Sequence, residues 1–323
     1  MIVCFVFLFS FAAKLQLMKN KMFALMVAFF AAIPVWAQDQ KATVSPLFHL
    51  EMKAELPADV SETSGLFFHN GRLWTHNDSG GKPILYGMDT TTFEIVQKIT
   101  LKGARNKDWE DVCTDGETVF VGNMGNNNGK RKGLKIYMFP LSAIPAEGDV
   151  TVVPDSIMFR FADQTNFVKR KDHDFDCEAL FATNDNLYLL SKGWATGTTR
   201  LYRLPKTPGT YVAEVVNSFD PQGLVTGADY DRQSNSLVVV GYANKKVWEP
   251  FIYLIFDFDE HGNQLANHRF DLINYHGVQT EGITFFGDGR CFLSAETNKV
   301  FTARVFQLDL RKWMEENRKN QQK

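Results

Sequence analysis

Residues 63–74 read TSGLFFHNGRLW: a small polar start, an apolar run, a tight polar turn and the opening of a second apolar run. Four later stretches repeat the pattern: WEDVCTDGETVF (109–120), CEALFATNDNLY (177–188), TGADYDRQSNSL (226–237) and TEGITFFGDGRC (280–291). Their turns contain Asn70-Gly71, Asp115-Gly116 and Asp288-Gly289, residue types that accept the positive φ a tight hairpin demands. Each hairpin is followed by two more strand-like runs, such as 84–88 with 95–101, 135–140 with 156–161, and 251–258 with 264–272. Four strands recurring every 46 to 68 residues predict an all-β fold, a five-bladed β-propeller.

The fifth unit has no fourth strand left before residue 310, and the segment 47–56 (LFHLEMKAEL) ahead of the first unit can supply it. Closure by strands from both ends removes an exposed sheet edge. Six blades are the alternative, and would need a further blade within 141–170. The propeller is expected to span residues 38–310 as a single domain, with 311–323 a charged C-terminal tail that carries the only helical periodicity. The composition suits this: 323 residues, 45% hydrophobic and 13% aromatic, bury a large strand-rich core.

Residues 1–37 stand apart. From Met18 the chain reads MKNKMFALMVAFFAAIPVWAQ, a basic start, an apolar run too short for a membrane span, and Val35-Trp36-Ala37. This is the layout of a secretory signal peptide cleaved near Ala37, preceded by an upstream extension. A periplasmic or extracellular protein without stable membrane insertion is expected, most simply a monomer. Removing the leader takes three lysines and leaves 32 basic against 37 acidic residues, which offers no field for nucleic acid. The remaining Cys113, Cys177 and Cys291 permit at most one bridge, and a chain this long needs none.

In a meander blade the turns alternate between two faces of the disc. The turns between strands one and two are short, whereas the segments leading into strand one and the loops between strands two and three hold most of the unusual polar residues. Strand one is innermost, so its first residues ring the axis: Ser64, Glu110, Glu178, Gly227 with Thr226 beside it, and Glu281. Converging carboxylates repel and raise one another's pKa unless a cation neutralises them. Carboxylate and hydroxyl oxygens suit Ca²⁺, and the lack of His or Cys argues against zinc or copper. A hydrated acidic mouth without an ion is the plainer alternative. Asp111, Asn123, Asp229 and Glu296 border the ring as candidate ligand contacts. Asp78, Arg105 and Arg131 are candidates for catalysis, and the 126–132 loop with its basic residues is a candidate phosphate grip. The chain has no Walker loop, nucleophile elbow or zinc spacing.

Ser64, Glu110, Glu178 and Glu281 together resemble the calcium site of the secreted calcium-activated nucleotidases (apyrases), which are five-bladed propellers; the fourth blade departs by offering Thr226-Gly227. The segments HNDSGG (76–81), DWEDV (108–112), GNMGNN (122–127) and QTEGI (279–283) resemble exported bacterial propellers related to the SdiA-regulated and esterase-like phytase groups, which often carry Asp where this chain has Asn123 and Asn127. Two functions are therefore expected. One is an exported propeller binding a small molecule, glycan or peptide on its funnel face around a central Ca²⁺. The other is a Ca²⁺-dependent hydrolase of phosphate or other esters.

Overall fold

The computed structural model describes residues 43–44, 48–244, 246–263 and 268–321, and the leader expected over 1–37 lies outside them. Two strands, β1 (Thr43–Val44) and β2 (Glu51–Glu55), precede the first hairpin. The first unit is β3 (Thr63–His69), β4 (Arg72–Asn77), β5 (Ile84–Asp89) and β6 (Ile95–Leu101). The second is β7 (Trp109–Thr114), β8 (Thr118–Asn123), β9 (Leu134–Pro140) and β11 (Asp155–Phe161), with the short β10 (Val150–Val152) between its last two strands. The third is β12 (Asp176–Ala182), β13 (Asn186–Lys192), β14 (Thr199–Pro205) and β15 (Gly209–Phe219). The fourth is β16 (Leu224–Asp231), β17 (Ser236–Asn244), β18 (Trp248–Phe256) and β19 (His268–Asp271). The last contributes β20 (Thr280–Gly287), β21 (Arg290–Ala295) and β22 (Arg304–Asp309).

Each unit is an antiparallel meander, and β2 completes the last by pairing antiparallel with β22, Glu51 opposite Gln307. The first strands β3, β7, β12, β16 and β20 pack side by side in a closed cycle, β20 returning against β3. The fold is a β-propeller. The segment 141–170, where a sixth blade was the alternative, holds a single 3-10 turn (Leu141–Ala143), β10 and β11. There β10 adds in parallel to β6, and β11 pairs in parallel with β15, so the second and third units share an outer edge. Similarly β1 adds in parallel to β19, so the N-terminal segment joins the fourth unit as well as the fifth.

Five apolar clusters fill the gaps between neighbouring units. In β17, Leu237 and Val239 face the third unit while Val238 and Val240 face the fifth. Both faces of the strand are covered, so its apolar residues run without a polar alternate. At the β3–β4 turn Asn70 (φ 49°) and Gly71 (φ 71°) both take the positive φ of a two-residue hairpin. Cys113, Cys177 and Cys291 are buried and unbridged. Residues expected as a charged tail form a helix, Arg311–Gln321, that turns one apolar face inward: Trp313 meets Phe48 and Phe270 with ring centres 5.0 and 4.9 Å away, and Met314 is buried.

Candidate functional site

Every innermost strand begins with a break in register: at Ser64–Gly65, Glu110, Glu178, Thr226 and Glu281–Gly282. A bulge leaves a residue out of the ladder and re-aims its side chain, which is how one strand start in each blade comes to address the axis. The ring is therefore Ser64, Glu110, Glu178, Thr226 and Glu281. Gly227, aligned with the ring on sequence, belongs one position further on, level with Gly65 and Gly282. These three stand where adjacent strands come too close for a side chain: a Cβ on Gly227 would strike the Glu281 carbonyl, and one on Gly282 the Ser64 carbonyl.

Four of the five ring residues border a cavity of about 210 Å³ lined by Ser64, Asp78, Glu110, Asn127, Glu178, Lys192, Trp194, Tyr242, Gln279, Glu281 and Glu296. Its non-ring members come from segments leading into strand one, from the last residues of strand two (Lys192 in β13, Tyr242 in β17) or from the stretch joining strands two and three, on the face expected to carry function. Two larger hollows, of about 390 and 500 Å³, lie among the short turns beside Asp231 and Met314 and beside His69 and Leu141; neither gathers a ring residue. Thr226 does not line the cavity: its hydroxyl donates to the Thr280 carbonyl at 2.8 Å and ties the fourth unit to the fifth. Ser64 does line it, with its hydroxyl donated to the Glu110 carbonyl.

The sequence reading missed a second tier of acids two residues before the ring, Asp108 and Asp176. One carboxylate oxygen from each of Asp78, Asp108 and Glu110 lies within 4.8 Å of the others, and the same holds for Glu110, Asp176 and Glu178. The repeated Asp-x-Glu of 108–110 and 176–178 was the available signal. The second omission is Lys192, whose ammonium sits 3.0 Å from Glu178 Oε2, both side chains buried. Burial alone would lower the Lys192 pKa, but Glu178, then Tyr242 and Glu281, hold it well up. Lys192 is thus a cation built into the ring, engaged with Glu178.

That leaves the other acids. Glu110, 5% exposed, has its Oε1 buried with no partner, and Asp78 Oδ1 is likewise buried and unpartnered. Burial, then Glu178 and Asp78, push the Glu110 carboxyl well above its usual range. Burial and the neighbouring Asp108, Glu281 and Glu62 raise Asp78 to about 7. Glu281 is also raised to about 7, by burial and Glu296 against the pull of Lys192. Burial and Asp78 bring Glu296 to about 7. Asp176 is spoken for: its oxygens accept the Asn126 amide at 2.6 Å and the Trp194 indole N–H at 2.9 Å. A hard cation fits best between Asp78, Asp108 and Glu110, where two buried oxygens lack a partner among the described residues.

Other nominated residues have structural duties. Asp111, next to Glu110, turns beneath the ring: Oδ1 accepts the Val112 amide at 2.8 Å, and Oδ2 those of Leu180 (2.9 Å) and Ala228 (3.3 Å). One carboxylate thereby pins the second, third and fourth units. Asp229 does the same between the last two, Oδ2 accepting the Phe285 amide and the Thr284 hydroxyl, each at 2.9 Å. Asn123 donates to the Arg105 carbonyl (3.3 Å), and Arg131 Nη2 donates to the Asn123 carbonyl at 2.9 Å while its Nη1 donates to that of Gly125. Arg131 thus braces the 126–132 loop, and its Nη1 also stands 3.9 Å from Asp108 Oδ2, at the edge of the acid cluster. Arg105 is exposed and outside the cavity lining. His76, buried against the edge of Trp109 at 5.5 Å between ring centres, is pushed down to about 4 by burial.

No protein-family model matches this chain, and no curated protein matches it in sequence. Similar solved structures include a glucose dehydrogenase, 9% identical over 80% of this chain and 99% of that one with a TM-score of 0.45. A gluconolactonase from Xanthomonas campestris is 12% identical over 81% of this chain and 89% of that one, with a TM-score of 0.39. Likenesses this distant carry nothing about chemistry, and the propeller assignment rests on the strand pairing described above.

Proposed function

We propose that this chain is an exported, cell-envelope propeller whose funnel holds a divalent cation, Ca²⁺ by the chemistry of its donors, and binds a small molecule, glycan or peptide beside it. The observation that supports the cation most directly is the pair of buried, unpartnered carboxylate oxygens on Glu110 and Asp78, in a cluster closed by Asp108. A buried unpaired charge is costly, and a hard cation with oxygen ligands relieves it. The ring's likeness to the calcium-activated nucleotidases points the same way, although here Glu178 already has Lys192 as its counter-ion. Calorimetric titration of the purified, chelator-treated protein with Ca²⁺ and with Mg²⁺ tests the proposal. One saturable Ca²⁺ site that prefers Ca²⁺ to Mg²⁺ is expected, and no heat above dilution for either ion would refute it.

The second function, ester hydrolysis, has one specific support. Asp78 pairs a carboxyl near neutral pKa with an unpartnered oxygen in the same cavity, the properties of a general base or a water-orienting group. A panel of nucleotides, phytate and p-nitrophenyl esters in Ca²⁺ separates the two functions: turnover abolished by Asp78→Asn establishes hydrolysis, and no turnover leaves binding.

A further inference from the structure

Trp194 is the only aromatic among the exposed large apolar side chains of the described residues, 36% exposed, and it borders the acid cavity. It is held rigidly. Its indole N–H donates to Asp176 Oδ2 at 2.9 Å and its backbone N–H to the His173 carbonyl at 3.0 Å. Asp174 Oδ1 fastens the turn behind it by accepting the amides of Ala195 (3.1 Å) and Thr196 (3.0 Å). A large apolar ring fixed in place and left partly open to water at a polar pocket is a preorganised stacking platform.

The charges around that platform select what lies on it. The cavity is lined by five carboxyl groups and one ammonium, so with those groups ionised a bound divalent cation still leaves two negative charges in excess. An anionic ligand would be repelled. A cationic ligand stacked on Trp194 would meet the Lys192 ammonium, already 5.1 Å from the centre of the same ring. What remains is a neutral ligand with an apolar face and many hydroxyls. Its O–H groups supply the donors that ionised carboxylates, acceptors only, require. Its oxygens can also complete the coordination of Ca²⁺, which takes six to eight oxygen ligands.

We propose that the ligand of this site is a neutral sugar ring, its C–H face stacked on Trp194 and its hydroxyls directed to the Asp78, Glu110 and Glu296 carboxylates and the cation. This rests on the cation site proposed above, and the test keeps the two separable. Ligand-observed NMR titrations would use the purified protein in Ca²⁺ with the methyl glycosides of glucose, galactose, mannose and N-acetylglucosamine, and with glucose 6-phosphate and glucosamine as charged comparators. At least one neutral glycoside is expected to saturate, and both charged sugars to bind at least about tenfold more weakly than it. Trp194→Ala should weaken the glycoside at least about tenfold and Trp194→Phe should restore it, and both proteins should still bind Ca²⁺. The inference is overturned if Ca²⁺ binds but no glycoside saturates, if a charged sugar binds more tightly, or if Trp194→Ala binds like the wild type. A protein that binds no Ca²⁺ at all overturns the cation site first, and this inference with it.

Discussion

Glu110 presents a buried oxygen that finds no partner among the described residues, on a carboxyl crowded by Glu178, Asp78, Asp176 and Asp108. Glu110→Gln removes one negative charge from that crowd while keeping the shape. In chelator it is expected to be as stable as the wild type or more so; in calorimetry it should bind Ca²⁺ at least about tenfold more weakly, the loss of one charged ligand. Unchanged affinity would place the cation elsewhere. Asp111 answers a different question. Asp111→Ala would orphan the buried amides of Leu180 and Ala228, at about 1–3 kcal/mol each, and its denaturant midpoint should fall accordingly. A midpoint equal to the wild type would show that the pin carries no load. The contrast between these neighbours marks how far residues can be read from sequence. That acids gather at strand starts was legible, because the hairpin repeat fixes the strand starts. Glu110 was read as the ring acid, but that Asp111 turns away from any ligand was not legible, since a bulge turns Glu110 toward the cavity and leaves Asp111 in the ladder. Lys192 escaped notice because it is silent until the β12–β13 register sets it opposite Asp176.

Elements show the same division. The 63–74 repeat disclosed the meanders because each strand there is sandwiched and each hairpin turn carries its own residue signal. Closure by β2 was legible from arithmetic, as the fifth unit ran out of chain. The parallel additions of β1 to β19, β10 to β6 and β15 to β11 were not, because edge pairing through backbone groups leaves no side-chain pattern. The helix at 311–321 hid its docking face behind charge, with Trp313 and Met314 as its apolar anchors. A chain begun after Glu55 lacks β2 and leaves β22 as a bare edge. Such a protein is expected to lose its sharp cooperative melt and to scatter light at concentrations where the full chain stays clear. A sharp, unshifted melt would show that ring closure does not depend on this strand.

At the scale of the molecule the acid cavity couples folding, protons and the cation. Asp78, Glu281 and Glu296 are held at about 7 against ordinary values of 3.8, 4.5 and 4.5. The folded chain therefore keeps protons that the unfolded chain releases. Their contribution is fully present below the unfolded values and is lost as pH rises through about 7. His76 acts oppositely: lowered from 6.5 to about 4, it costs stability as pH falls through that window. His76 does not line the cavity, so the difference between melts in Ca²⁺ and in chelator isolates the acids. Because Ca²⁺ must displace their protons, that difference is expected to grow between about pH 5 and about pH 8. The most direct measurement is this melt itself at neutral pH, on the wild type and Glu110→Gln side by side. A Ca²⁺ concentration about a hundredfold above its Kd should stabilise the wild type by about 2.7 kcal/mol and raise its melting temperature by about 5 °C. The Glu110→Gln protein should gain much less. A wild-type melting temperature indifferent to Ca²⁺ and chelator would contradict the cation site on which the function proposed here depends.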